Sequence, residues 1–285
     1  MTQLTYERRG AGDPLVLVHG IGSSRRVWDP VVATLADRFD VITVDLPGFG
    51  ESDPLPGHVE PVPSTLASSL AELLDELEVS APHVVGNSLG GWVGLELARL
   101  RPLSSLMLLS PAGLWSDRAP AYTRVSLCAS HWLARHAGAL LSWLVGYRLG
   151  RVLVLGQTHG RPGRLTADQA RGTLRTMGAG PGFDATFEAT VRRHHRARPT
   201  DVGVPVTVAF GSRDLILLPW QSRHVEQLPE GTRVVPLPGC GHVPTYDDPT
   251  AVVALVTGAV SRGRPRPGSP AANRPAAVPD RGRVA

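Results

Sequence analysis

Lysine is missing altogether: all 29 basic side chains among the 285 residues are arginine. That removes Schiff-base chemistry on a lysine amine and the lysine of a phosphate-binding loop. Cysteine occurs only as Cys128 and Cys240, too few for a disulfide framework or a four-cysteine zinc site. Long apolar runs are scarce. The longest uncharged apolar stretch in the middle of the chain, Ala137 to Tyr147, has eleven residues, against the roughly 20 that a membrane span needs. The start of the sequence reaches Glu7, Arg8 and Arg9 without the apolar core of a signal peptide. The expectation is a cytoplasmic protein with no membrane span.

What is present suffices for a core. Hydrophobic residues make up 42% of the chain, which suits one large α/β domain or two small ones and excludes wholesale disorder. The net charge of +4 hints at nucleic acid, but its distribution argues against that partner. Residues 262–285 carry +5, and the body ahead of them carries −1. Within that body, residues 112–198 hold +9 and the remainder −10, a basic middle inside an acidic frame.

Short apolar runs alternate with amphipathic stretches. Pro14–His19, Asp40–Asp45, His83–Asn87, Ser104–Ser110, Pro205–Phe210 and Thr232–Leu237 are each bounded by Gly, Pro, Asp or Ser. Near-continuous Val, Leu and Ile runs predict strands buried on both faces, as in a parallel sheet. Leu4–Arg8 is more polar and fits an edge strand. Helices are expected at Val27–Arg38, Ser64–Glu78, Leu89–Arg101, Trp220–Leu228 and Pro249–Val260. In the second, Leu66, Leu70, Leu73, Leu74 and Leu77 form a core-facing stripe. Strands alternating with helices predict an α/β fold, a doubly wound, mostly parallel sheet.

The alternation breaks over residues 112–203, too long a stretch for an ordinary loop. It reads as a helical cap inserted into a core made of 1–111 and 204–261. The last segment, 262–285, is rich in Pro, Gly and Arg and is expected to be disordered.

Gly86-Asn87-Ser88-Leu89-Gly90 matches the G-x-S-x-G nucleophile elbow, with a predicted strand before it and a predicted helix after it. Such a turn lifts the serine hydroxyl clear of the sheet and aims a helix N-terminus at the reacting oxygen. Asp214 follows the strand 205–210, and His242 follows the strand 232–237 within Gly239-Cys240-Gly241-His242. The order Ser88, Asp214, His242 completes a set able to perform nucleophilic acyl transfer.

These motifs resemble those of the α/β-hydrolase superfamily, in its capped, serine-nucleophile branch. Further matches are His19-Gly20-Ile21-Gly22 and the run from Asp45 to Ser52. The resemblance covers 4–111 and 204–260; the cap matches by position alone and the tail not at all. It implies a serine hydrolase acting through an acyl-enzyme on an ester of a small to medium, largely apolar substrate. His242 would move the proton, Asp214 would hold the imidazole, and the backbone amides of Ile21 and Leu89 would form the oxyanion hole. No cofactor and no metal are implied, and the oligomeric state is left open.

Serine at the elbow argues against dehalogenases and epoxide hydrolases of this fold, which use aspartate there. Carbon–carbon bond hydrolases and perhydrolases share the triad and stay open, as does a non-enzymatic ligand receptor on the same fold. Elsewhere, His194-His195 among arginines reads as a solvated basic face rather than a metal site. His19 reads as a buttress of its loop, Asp45 as a loop anchor with a lesser claim as the triad acid, and Cys240 as a packed thiol. Trp132 and Trp143 are expected in the core of the cap.

Overall fold

The computed structural model describes residues 2–195 and 203–263. Seven strands form one sheet: β1 (Tyr6–Arg9), β2 (Asp13–Val18), β3 (Phe39–Val44), β4 (His83–Asn87), β5 (Ser105–Leu109), β6 (Val206–Gly211) and β7 (Arg233–Leu237). Their order is β1-β3-β2-β4-β5-β6-β7, with β1 antiparallel to β3 and every other pair parallel.

Side chains alternate across this sheet with period two, and both faces are covered. Val16 and Val18 of β2 enter one core and Leu15 and Leu17 the other. Leu106 and Leu108 of β5 divide from Met107 and Leu109 in the same way. One face lies under α2 (Pro63–Glu76) and α3 (Leu89–Leu100). The opposite face lies under α1 (Asp29–Ala36) and α11 (Pro249–Gly263). Pro63 occupies the first turn of α2, where its missing N–H costs nothing, and Leu66, Leu70, Leu73 and Leu74 are buried. The edge strand β1 is exposed throughout.

Among the described residues, five α-helices stand between β5 and β6: α4 (Ala121–His136), α5 (Gly138–Leu144), α6 (Arg148–Leu155), α7 (Ala167–Ala179) and α8 (Phe183–Val191). Val145, Leu155, Leu165, Ala170 and Leu174 give this insertion a small core of its own, while Phe183, Phe187 and Val191 join the main core. Thr166 and Gln169 close a capping box at the start of α7.

Three expectations are corrected. Residues 220–228 do not form one helix. A four-residue helix α9 (Pro219–Ser222) is followed by a 3-10 turn at Val225–Gln227. The stretch lacks a buried stripe: Trp220 is exposed, and Arg223 turns back to donate to the Gly211 carbonyl and lie over the Phe210 ring. Trp132 and Trp143 are exposed, because the insertion packs through other faces of its helices. His195 is buried against Glu96 of α3, at 3.6 Å, rather than solvated; its neighbour His194 is half-buried, with Nδ1 2.7 Å from the Asp117 carbonyl oxygen. A short helix α10 (Pro244–Asp247) precedes α11, which runs through Gly263. The expected disorder of 262–285 falls, from residue 264 onward, outside the described residues.

Candidate active site

Ser88 sits between the last residue of β4 and the first of α3 with φ 54° and ψ −117°. A non-glycine residue there stores roughly 1–3 kcal/mol of backbone strain and persists only when its surroundings fix it. Ser88 N–H donates to the Leu109 carbonyl, and its own carbonyl accepts from Gly91 and Ala112. The helix then passes so close to β2 that a Cβ at Gly90 would stand 2.2 Å from the Val18 carbonyl oxygen, so only glycine fits.

Asp214, at the carboxyl end of β6, is buried. Its Oδ1 accepts from the Ile216 and Leu217 N–H groups, each at 2.9 Å, and its Oδ2 lies 3.0 Å from His242 Nδ1. Burial alone would push this carboxyl up. The attraction of the His242 imidazole, with the hydrogen bonds from His242, Leu217 and Ile216, outweighs it and lowers the pKa. The carboxylate therefore accepts from His242 Nδ1–H, which leaves Nε2 as the basic nitrogen. Thr123 of α4 donates to the Ile216 carbonyl at 3.0 Å, linking the insertion to the loop that holds the acid.

Two residues outside the motif's named positions fix the histidine loop. Asn87 Nδ2 donates to both the Leu109 and the His242 carbonyls, each at 2.9 Å. The wholly buried Asp247 accepts from three backbone N–H groups at 2.7 Å: Gly160 and Gly241 on Oδ2, and Arg161 on Oδ1. It thereby fastens the insertion to the loop before His242. A Cβ at Gly160 would come within 2.4 Å of the Gly239 carbonyl oxygen, and one at Gly241 within 2.5 Å of the Gly160 nitrogen. The sequence carries no local signal for this clamp, because Asp247 lies 87 residues from Gly160.

The remaining candidates take up separate positions. His19 Nε2 accepts from Leu46 N–H at 3.0 Å, so Nδ1 carries the proton and donates to the Gly20 carbonyl. Burial lowers the His19 pKa and keeps it neutral. Asp45 is spent on Arg25, through its backbone and guanidinium, and on Glu51 N–H. Cys240 is a buried thiol, pushed up to about 11 by burial and by Asp247 and Asp248. Among the described residues neither the Ile21 nor the Leu89 N–H has a protein acceptor.

Ser88 borders two cavities. One, of about 510 Å³, is also lined by His242, His159, Tyr246, Arg26 and Arg175. The other, of about 30 Å³, lies among Leu89, Ala112, Trp115, Phe187 and Val191. A third space of about 810 Å³, between Pro54–Pro61 and α8, touches none of Ser88, Asp214 and His242, so size alone does not mark the site.

The sheet, the strained serine turn and the loops at the strand ends define an α/β-hydrolase architecture. The chain belongs to the alpha/beta hydrolase family, whose model matches residues 15–255. A protein of Pseudomonas savastanoi pv. phaseolicola that bears a carbamate-hydrolase name is 32% identical over 247 residues, covering 82% of this chain and 88% of that protein. A pimeloyl-[acyl-carrier protein] methyl ester esterase of Aeromonas hydrophila is 43% identical over 121 residues, 41% of this chain and 46% of its own. The fold is also that of a thermophilic esterase from Thermogutta terrifontis, with a TM-score of 0.73 and 22% identity over 92% of this chain and 94% of the esterase.

Proposed function

We propose that this chain is a serine hydrolase that cleaves carboxylic esters through an acyl-enzyme. The observation that carries the reading is the arrangement of Asp214 Oδ2 at 3.0 Å from His242 Nδ1, with Ser88 and His242 on the wall of one cavity. A serine hydroxyl is a poor nucleophile at neutral pH, so His242 Nε2 takes its proton as Oγ attacks the ester carbonyl carbon. The carbonyl π electrons move onto oxygen, and the Ile21 and Leu89 N–H groups stabilise that oxyanion. One such donor is worth about 3–4 kcal/mol.

Collapse of the tetrahedral adduct breaks the bond to the alkoxy oxygen, which leaves as the alcohol with the proton from His242. Water, deprotonated by the same nitrogen, then attacks the acyl-serine and releases the acid. Asp214 keeps the imidazole in the tautomer with Nδ1–H and stabilises the imidazolium. No cofactor enters any step. The insertion, helices α4 to α8, acts as the cap over this cleft and supplies Leu127, His159 and Met177 to its wall. A substrate of small to medium size and largely apolar character suits the space. The esterase and carbamate-hydrolase names among similar proteins agree with this class of reaction.

The test is covalent labelling by a fluorophosphonate together with turnover of p-nitrophenyl esters. Both should vanish in Ser88→Ala. Labelling that survives the substitution would place the nucleophile elsewhere. Labelling without turnover of any ester, carbamate or diketone would leave a ligand receptor on this fold.

A further inference from the structure

The outer face of the insertion is apolar where a soluble surface would be polar. Ten of the fifteen exposed large apolar side chains among the described residues lie between Tyr122 and Leu153. They recur at helical spacing: Val125 and Trp132 on α4, Leu140 and Trp143 on α5, Leu149 and Leu153 on α6. Trp143 is 60% exposed and Leu153 75%. Each of these three consecutive helices packs another face against α7, α5 also touches both α4 and α6, and Leu141, Val154 and Leu155 reach the insertion's own core. Single exposed apolar residues need no explanation, but a concentration of this kind marks an interaction surface.

The charge on α4, α5 and α6 themselves has one sign, while Asp184 and Glu188 of the neighbouring α8 lie near Cys128 of α4. No aspartate or glutamate occurs between Asp117 and Asp168, whereas Arg124, Arg135, Arg148 and Arg151 fall on the same three helices. Tryptophan, leucine and valine flanked by arginine suit the boundary between acyl chains and anionic headgroups. There the rings and aliphatic groups are buried and the guanidinium groups meet phosphate. No helix among the described residues is long and apolar enough to cross a membrane, so the contact is with its surface. A twofold dimer through this face would instead set the arginines of two copies against each other, with no acid on these three helices to pair them.

We infer that the outer face of α4, α5 and α6 docks on the surface of an anionic phospholipid bilayer. The test is flotation of the full chain with vesicles of phosphatidylcholine alone and of phosphatidylcholine mixed with phosphatidylglycerol, at low and high salt. Flotation is expected with the mixed vesicles, weakened by salt and abolished by the double variant Trp143→Ser and Leu153→Ser. Arg135→Gln and Arg148→Gln, on exposed side chains, should each lower partitioning roughly fivefold. These two settle the matter if the apolar double variant fails to fold, as read by circular dichroism. Failure to float with either vesicle overturns the inference, as does equal, salt-insensitive flotation with both. A dimer in sedimentation equilibrium that the double variant dissociates, in a chain that does not float, assigns the face to a second copy and also overturns it.

Discussion

The carboxylate of Asp247 holds the backbone N–H of Gly241 at 2.7 Å, one residue ahead of His242. The same carboxylate takes two N–H groups from the insertion, so it fixes the imidazole's loop and the adjoining wall together. Replacing Asp247 by asparagine turns at least one of these contacts into donor against donor. Hydrogen bonds to a charged group are worth about 1.5–3 kcal/mol each. Asp247→Asn should therefore lower the melting temperature and cut kcat/KM about tenfold or more; a melt and an ester assay on the same preparation check it. Unchanged turnover in a destabilised variant would limit Asp247 to a structural role.

Asp214 gives a prediction with a definite sign. Folding lowers its pKa below the usual value of about 3.9, so the carboxylate stabilises the fold above that pH and the contribution fades as pH falls below it. Asp214→Asn should melt below the native chain at neutral pH, and the gap should close in acid. Its turnover should drop by up to about 10⁴-fold, as for loss of a triad aspartate. Chemical denaturation at several pH values separates the two effects.

His159 predicts a slope of the same sign over a higher window. Burial lowers its pKa to about 4, against an unfolded value near 6.5. Between those values the unfolded chain takes up a proton that the folded chain refuses, so stability falls as pH drops from about 6.5 to about 4. His159→Gln should flatten that part of the stability curve. A slope equal to the native one would assign the effect to another histidine.

The two cavities beside Ser88 predict which part of an ester is measured by length. In the proposed reaction His242 reaches the leaving oxygen, and it lines only the larger space, so the acyl chain falls to the cavity of about 30 Å³. That volume holds about two or three heavy atoms. Thr123 and Thr190 on its wall already donate to the Ile216 and Thr186 carbonyls, so neither hydroxyl proton is left for the substrate. Turnover of p-nitrophenyl esters should fall steeply beyond butanoate, and Phe187→Ala should move the optimum to longer acids. A matched series of acetates of growing alcohols should respond little to that substitution.

Much of this was legible in the residues, because buried parallel strands and a strained turn leave local marks. Pro14–His19 and Ser104–Ser110 read as strands from their apolar runs alone, and the structure places β2 and β5 there. Apolar spacing, by contrast, says that a helix has a face and not what covers it, which is why Trp132 and Trp143 misled. His195 misled for a similar reason: its arginine neighbours are local, while its partner Glu96 lies on a distant helix. Asp247 and Asn87 act on backbone groups brought together only by the completed fold, so no spacing in the sequence could announce them.

The meeting of Gly160 with Gly239 and Gly241 limits how the protein can be taken apart. The helices α4 to α8 look like an exchangeable module on a common scaffold, yet the strap Thr158–Arg161 between α6 and α7 is keyed into the histidine loop at a point with no room for a side chain. A graft from a relative that carries anything larger at position 160 would push its first carbon to 2.4 Å from the Gly239 carbonyl and displace the loop that ends in His242. Recombination that respects the molecule must move the strap, the glycine loop and Asp247 as one inherited unit.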